Sequence, residues 1–449
     1  MKRQHFLILA LLPFFFSCSG PQSGAEKSKD SSVTVNSSSP FVQVKGTHFE
    51  LDGKPYYYLG TNFWEGMNLA SKGPGGDRER LLRELDKMKA LGITNLRILA
   101  GSEGPDTEPW RIVPSMQPSP GVYNKDLLDG LDFLLSEMGK RKMLAIVVLN
   151  DFWQWSGGMA QYLQWNGGGN IPYPPPHPGG SWDVVQKYTA QFYSNKNAVK
   201  QANDFVRMIV TRKNTYSGLD YKNDPAIMAW QLGNEPRGAG NTTDFNVWID
   251  STSALIKSLD PNHLVSTGCE GETPSPEGAG VDFVKNHSSK NIDYATVHIW
   301  VQNWGWYDPA KSSKTFEEAK SKMMMYFNDH VQKSIKMGKP MVVEEFGLAR
   351  DKGSFDPAAT TAMKDQYYSS VFDQVYIAAK SGSPVAGVNF WAWAGEGRPK
   401  KPYGGYWKAG DPFLGDPPHE QQGWYSVYDS DSTTTGIIRN YTAKMSELK

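Results

Sequence analysis

Eight short runs of apolar, β-branched and aromatic residues, separated by stretches of helical period, constrain this chain more than any other feature. The first run ends at Leu59. The others occupy residues 95–99, 143–149, 227–232, 264–267, 294–299, 341–343 and 386–390. Between most of them apolar residues recur at helical spacing. In residues 80–90, for example, Leu81, Leu82, Leu85 and Met88 precede the stop signal Gly92. Residues 127–140, 197–212, 245–259, 316–337 and 358–380 repeat the pattern, and residues 433–449 read as a closing eighth helix. Eight strands alternating with helices predict a (β/α)8 barrel. A doubly wound sheet would carry a Gly-rich phosphate turn after its first strand, whereas Gly60-Thr-Asn-Phe-Trp64 stands there. Residues 41–59, with Asp52-Gly53 as a two-residue turn, read as an N-terminal β-hairpin.

Three connections, residues 100–123, 150–182 and 395–429, are too long for plain turns. Each follows a strand, so all three should gather at the C-terminal face of the barrel, where such folds keep their sites. Residues 41–449 are therefore expected to form one barrel domain with long βα loops.

The first 17 residues read as an export signal: Lys2 and Arg3, then an apolar run from Phe6 to Phe16 that is shorter than the roughly 20 residues a membrane span needs. Cys18 sits where a bacterial lipoprotein is cut and acylated, although Phe15-Phe16-Ser17 replaces the usual small residues before it. Residues 18–40, rich in Ser, Lys and Gly, suit a flexible tether. The expectation is a lipoprotein anchored at the cell envelope, touching the membrane only through its lipid, or a secreted protein if it is not acylated. The other cysteine is Cys269, so acylation of Cys18 leaves no intramolecular disulfide. Formal net charge is zero, which gives neither nucleic acid nor an anionic bilayer a basic surface to bind. The eight His show no metal-ligand spacing, and no cofactor is expected. Fifteen Trp and 21 Tyr suit the apolar faces and polar rims of sugars.

Two carboxylates close two of the strand runs. Glu235 ends Ile227-Met-Ala-Trp-Gln-Leu-Gly-Asn-Glu-Pro-Arg237, and Glu345 ends Met341-Val-Val-Glu-Glu-Phe-Gly347. On the fourth and seventh of eight strands they should face each other across the barrel mouth, as glycoside hydrolysis by a pair of carboxyls requires. Pro236 biases Glu235 toward extended backbone. Strand alternation points only one of Glu344 and Glu345 into the lumen.

These motifs resemble the acid/base and nucleophile signatures of glycoside hydrolase family 5. Gly157-Gly-Met-Ala-Gln-Tyr162 and Phe390-Trp-Ala-Trp-Ala-Gly-Glu-Gly-Arg-Pro399 sharpen the resemblance to the mannanases of subfamily 7. It implies a retaining endo-β-1,4-mannanase acting on mannan, glucomannan or galactomannan, with β-mannan polysaccharide or manno-oligosaccharides as its partner. Glu235 would be the acid/base and Glu345 the nucleophile. By the same resemblance Arg97 keeps the nucleophile ionised, Asn234 binds the sugar 2-hydroxyl and His298 is the sixth-strand histidine. Trp391, or Trp393 in a shifted register, stacks on the reacting sugar, often ahead of a non-proline cis peptide. Trp64, Asn150 and Phe152 fall near that sugar, and Arg237 falls on the leaving side. Trp300 stands where many members place a Tyr that donates to the nucleophile; an indole donates one hydrogen bond and accepts none. Two alternatives share these residues: a β-1,4-glucanase of the same barrel family, and a surface lipoprotein that binds glycan without cutting it.

Overall fold

In the computed structural model, which describes residues 39–448, the eight runs form eight parallel strands. The chain opens with an antiparallel sheet of β1 (Gln43–Lys45), β2 (His48–Leu51) and β3 (Lys54–Pro55). The expected hairpin is thus a three-stranded meander, because Gly46 at φ 63° makes an additional turn ahead of Asp52-Gly53. Asp52 and Gly53 both take positive φ, as a type I′ turn demands. Val42 and Phe49 pack with Leu144, Met228, Leu264 and Val342, which lie at or near the N-terminal ends of barrel strands. The meander seals that end of the barrel, leaving the other for chemistry.

The barrel strands are β4 (Tyr58–Asn62), β5 (Asn95–Leu99), β6 (Leu144–Val148), β7 (Ile227–Gln231), β8 (Leu264–Ser266), β9 (Ala295–Ile299), β10 (Met341–Phe346) and β11 (Val385–Phe390). Their order in the sheet is β8-β7-β6-β5-β4-β11-β10-β9. All their residues are buried, which is why the sequence shows continuous apolar runs rather than alternation. Between β8 and β9 closure comes from single bonds: Asp293 N–H donates to Val265 O (2.8 Å), His298 N–H to Glu270 O (2.9 Å) and Thr296 Oγ1 to Cys269 O (2.6 Å).

The surrounding helices include α1 (Gly66–Leu69), α2 (Arg78–Ala90), α3 (Lys125–Lys140), α4 (Gly158–Trp165), α5 (Trp182–Thr189), α6 (Lys196–Val210), α7 (Thr242–Leu259), α8 (Pro276–Ala279), α9 (Phe283–His287), α10 (Ser312–Met337), α11 (Ala362–Lys380) and α12 (Ser432–Ser446). Asp77, Asn124, Ser181 and Asn195 accept from the first turns of α2, α3, α5 and α6, satisfying amides that a helix start leaves free. Among the described residues no helix is long and apolar enough to cross a membrane. The export signal and Cys18 lie outside the described residues.

Two of the long connections are locked together. Gly157 and Gly158 take positive φ, and a Cβ on Gly157 would stand 2.0 Å from Glu103 O. Glu103 accepts from Gly158 N–H (2.8 Å) and from the Tyr162 hydroxyl (3.1 Å). The glycine pair of the Gly157-to-Tyr162 motif is thus a joint between the loops that follow β5 and β6. Residues 395–429 fold over the mouth around Asp416, which accepts from Gly423 N–H, Tyr425 N–H and the Ser426 hydroxyl.

Candidate active site

β7 and β10 bring Glu235 and Glu345 to one cavity of about 550 Å³. Beyond β7 the chain stays paired to both neighbours. Asn234 N–H donates to Asn150 O (2.9 Å), and Glu235 N–H to Gly268 O (3.0 Å). Glu235 is not extended as its proline neighbour suggested. Its φ is 47°, a strained value for a residue with a side chain, imposed by these two anchors. On β10 the register slips between Val343 and Glu345, where Glu345 pairs with His298. This bulge overturns the expected alternation, so both glutamates reach the barrel interior. Glu344 lies deeper, accepting from Gln231 Nε2 (2.7 Å) and Tyr294 Oη (3.4 Å). Glu345 lines the cavity and Glu344 does not.

Arg97 on β5 organises the floor. Its guanidinium donates to Glu345, to Asn62 Oδ1 (3.0 Å), to Asn234 Oδ1 (2.9 Å) and to Gln231 Oε1 (2.7 Å). Asn234 donates in turn to Asp151 Oδ1 (3.2 Å), which fixes the direction of its amide. His298 Nδ1 lies 2.7 Å from Glu235 Oε1 and 3.3 Å from Glu345 Oε2. One ligand-type atom of each of these three residues lies within 4.8 Å of the others. Burial alone would discharge His298, but Glu345 and Glu235 beside it hold it protonated well above its ordinary range. For Glu235 burial pushes upward, yet the His298 contact outweighs it and holds the carboxyl down at about 2. The pull between His298 and Glu235 thus favours the proton on the imidazole and the charge on the Glu235 carboxyl.

Trp300, at the position where many family members carry a Tyr that donates to the nucleophile, lines the cavity, donates to Glu235 Oε1 (3.3 Å) and crosses Trp391 edge to face. Trp391 lines the cavity and precedes a cis peptide to Ala392. Trp393 is buried and donates to Glu84 (2.8 Å), so the shifted register does not hold. Phe152 is fully buried outside the cavity. Its neighbour Trp153 faces it and donates to Glu235 Oε2 (2.8 Å). Asn150 also lies outside, its side chain bonded to Asp151 N–H (2.8 Å). Trp64 sits below, bonded to Gly415 O (2.9 Å) and packed against Trp155 and Phe413. Arg237 lines the cavity, lies over the Trp153 ring and is held by Glu270 and by Gln186 Oε1 (2.8 Å).

Several residues of this cavity lie outside the sequence motifs. Glu270 follows β8 as Glu235 follows β7, and its place just past a strand run was a readable signal. Burial lifts it to about 7 against the pull of Arg237. His419 and Glu420 come from the loop after β11, where no periodicity marks them. Burial lowers His419 to about 3, and burial with Asp416, Glu345 and Glu235 nearby holds Glu420 well above a normal carboxylate. Among the described residues His419 Nδ1 and Glu420 Oε2 have no hydrogen-bond partner.

A (β/α)8 barrel with two carboxyls facing across its mouth, one on the fourth strand and one on the seventh, is the architecture of a glycoside hydrolase. The sequence profile described as glycoside hydrolase family 5 β-mannosidase-like matches residues 39–449, and the chain belongs to that family. Mannan endo-1,4-β-mannosidase 5 of Solanum lycopersicum is 33% identical over 380 residues, 80% of this chain and 82% of the relative. The crystal structure of a glycoside hydrolase family 5 mannosidase from Rhizomucor miehei is 40% identical, covers 91% of this chain and 98% of its own, and superposes with a TM-score of 0.83. An endo-1,4-β-mannanase from Rhizomucor miehei, 24% identical over 90% of this chain and 99% of its own, shares the fold at a TM-score of 0.65.

Proposed function

We propose that this chain is a retaining β-mannanase that hydrolyses internal β-1,4-mannosidic bonds of mannan, glucomannan or galactomannan by double displacement. The observation that carries this reading is the Glu235–His298–Glu345 triangle. Glu345, ionised beside Arg97, attacks the anomeric carbon. Two carboxyls about 5 to 5.5 Å apart suit such direct attack, whereas inverting enzymes need room for a water between them. The His298–Glu235 pair holds one proton between its two members. Moving it from Nδ1 to Oε1 makes Glu235 the acid that protonates the leaving oxygen, and leaves a neutral imidazole. Esterification then removes the Glu345 charge. Glu235 takes the proton of the attacking water as base, and hydrolysis frees Glu345 again.

The mannan assignment is supported by the curated relatives named mannan endo-1,4-β-mannosidase and by a variant of the Rhizomucor miehei mannosidase solved with mannosyl-fructose. Placement in subfamily 7 rests on the loop motifs quoted above. Sugar release from linear mannan, glucomannan and carboxymethylcellulose tests the substrate. Hydrolysis of the first two and none of the third is expected; preference for carboxymethylcellulose would make the chain a glucanase. Export and acylation at Cys18 rest on residues 1–20. Metabolic labelling with a fatty acid, lost in Cys18→Ala, tests them.

A further inference from the structure

The bond from Trp300 to Glu235 Oε1 is 3.3 Å long, and an indole has one N–H to give in one direction, so a small turn of the ring breaks it. What aims that ring lies outside the cavity wall. Tyr425, in the loop after β11, is fully buried and does not line the catalytic cavity. Its ring nevertheless meets the Trp300 ring at a centroid distance of 5.0 Å and a tilt of 47°. Gly347, two residues past Glu345, abuts both rings. A Cβ there would lie 3.2 Å from Trp300 Cζ3 and 3.3 Å from Tyr425 Cδ1, so a side chain would press on the pair.

Tyr425 is in turn held at each of its polar groups. Its N–H donates to Asp416 Oδ1 (2.6 Å), its carbonyl accepts from Lys364 Nζ (3.3 Å) and its hydroxyl donates to Asn303 Oδ1. Lys364 stands in the first turn of α11, is fully buried, and donates also to Ser426 O (3.0 Å). Bonds from an ammonium are stronger than those between neutral groups, and burial strengthens them further. The loop backbone at residues 425–426 is therefore pinned from the barrel side by Lys364 and from within the loop by Asp416. A ring fixed in this way can hold its neighbour in one orientation.

We infer that Tyr425 is a positioning residue for the acid/base: pinned by Asp416 and Lys364, it holds the Trp300 indole in the orientation that donates to Glu235. The inference rests on the proposed function, and its test separates the two. kcat/KM, which reports formation of the glycosyl-enzyme, is measured on two substrates. A β-1,4-manno-oligosaccharide needs its leaving oxygen protonated, whereas a dinitrophenyl β-manno-oligoside releases a phenolate without a proton. In Tyr425→Leu the first rate falls about tenfold, the scale of one hydrogen bond to a charged group, and the second falls much less. Trp300→Phe, which removes the N–H, shows the same imbalance. Lys364→Met, which frees the two carbonyls and leaves the ring, shows it in smaller measure and carries the comparison if Tyr425→Leu does not fold. Tyr425→Phe drops only the bond to Asn303 and keeps the wild-type ratio of the two rates. Partial unfolding lowers both rates alike and leaves that ratio unchanged. Equal losses on both substrates in Tyr425→Leu and Lys364→Met overturn the assignment, as does a wild-type ratio in Trp300→Phe. A wild type that cleaves neither substrate overturns the mannanase reading itself.

Discussion

His298 Nδ1 stands 2.7 Å from Glu235 Oε1 and 3.3 Å from Glu345 Oε2, so one imidazolium neutralises part of both carboxylates. The pair titrates as a unit, and the alkaline limb of the rate profile belongs to it rather than to either residue. His298→Asn is expected to lower kcat/KM by roughly 10² or more, the scale of a lost acid/base partner. Without the imidazolium, burial governs Glu235 and the alkaline limb moves to lower pH. The stability effect has a defined window. Glu235, held down at about 2, stabilises the fold above the ordinary carboxylate range and loses that contribution as pH falls toward 2. His298, held up, contributes fully below about 6.5 and loses it as pH rises through its elevated value. The loss of Tm in His298→Asn should therefore be greatest between about pH 4.5 and 6.5. A uniform loss across pH would contradict the coupling.

The neighbouring glutamates of β10 should separate cleanly. Glu345→Ala is expected to keep its fold and lose turnover by roughly 10⁴ or more. Glu344 lies among Gln231, Tyr294 and Arg97 below the cavity, so Glu344→Ala should cost about 3 kcal/mol of stability while turnover survives in the folded fraction. Denaturant unfolding beside kcat on both variants decides it. A stable, inactive Glu344→Ala would reverse the assignment.

Trp153 supplies the second oxygen of Glu235 with a donor and lies under Arg237. Trp153→Phe keeps the ring and removes the N–H. A hydrogen bond to a charged group is worth about 1.5–3 kcal/mol, so kcat/KM should fall roughly 10- to 100-fold. Phe152→Leu, a change in the core behind it, should act on Tm instead.

Glu103 joins two site loops and is raised to about 7, first by burial and against the bonds from Gly158 and Tyr162. An acid with a raised folded pKa lowers stability as pH climbs from its unfolded value, about 4.3, to its folded one. The loss amounts to about 4 kcal/mol. Glu103→Gln should flatten the fall in Tm between pH 5 and 8. Parallel curves for variant and wild type would show that Glu103 does not titrate there.

The barrel was legible because strands buried on both faces must be apolar throughout, a signal that needs no partner to read. It failed where function puts charge into that core. The run read at residues 341–343 is a strand to Phe346, since Glu344 and Glu345 interrupt the apolar pattern and a bulge turns both inward. Pro236 gave the local rule for Glu235, and two tertiary hydrogen bonds overrode it. In the third-strand loop no periodicity distinguishes Phe152, packed in the core, from Trp153, facing the cavity. His419 and Glu420 are brought to the site by the fold of a long loop pinned at Asp416, which sequence spacing does not encode.

The stereochemistry of the first product reports whether Glu345 or a water attacks the anomeric carbon. In proton NMR of a manno-oligosaccharide digest, followed from the first seconds, the new reducing end is expected to appear as the β-anomer and then to mutarotate. Initial appearance of the α-anomer would mean single displacement by water, and would contradict the role of Glu345 as nucleophile.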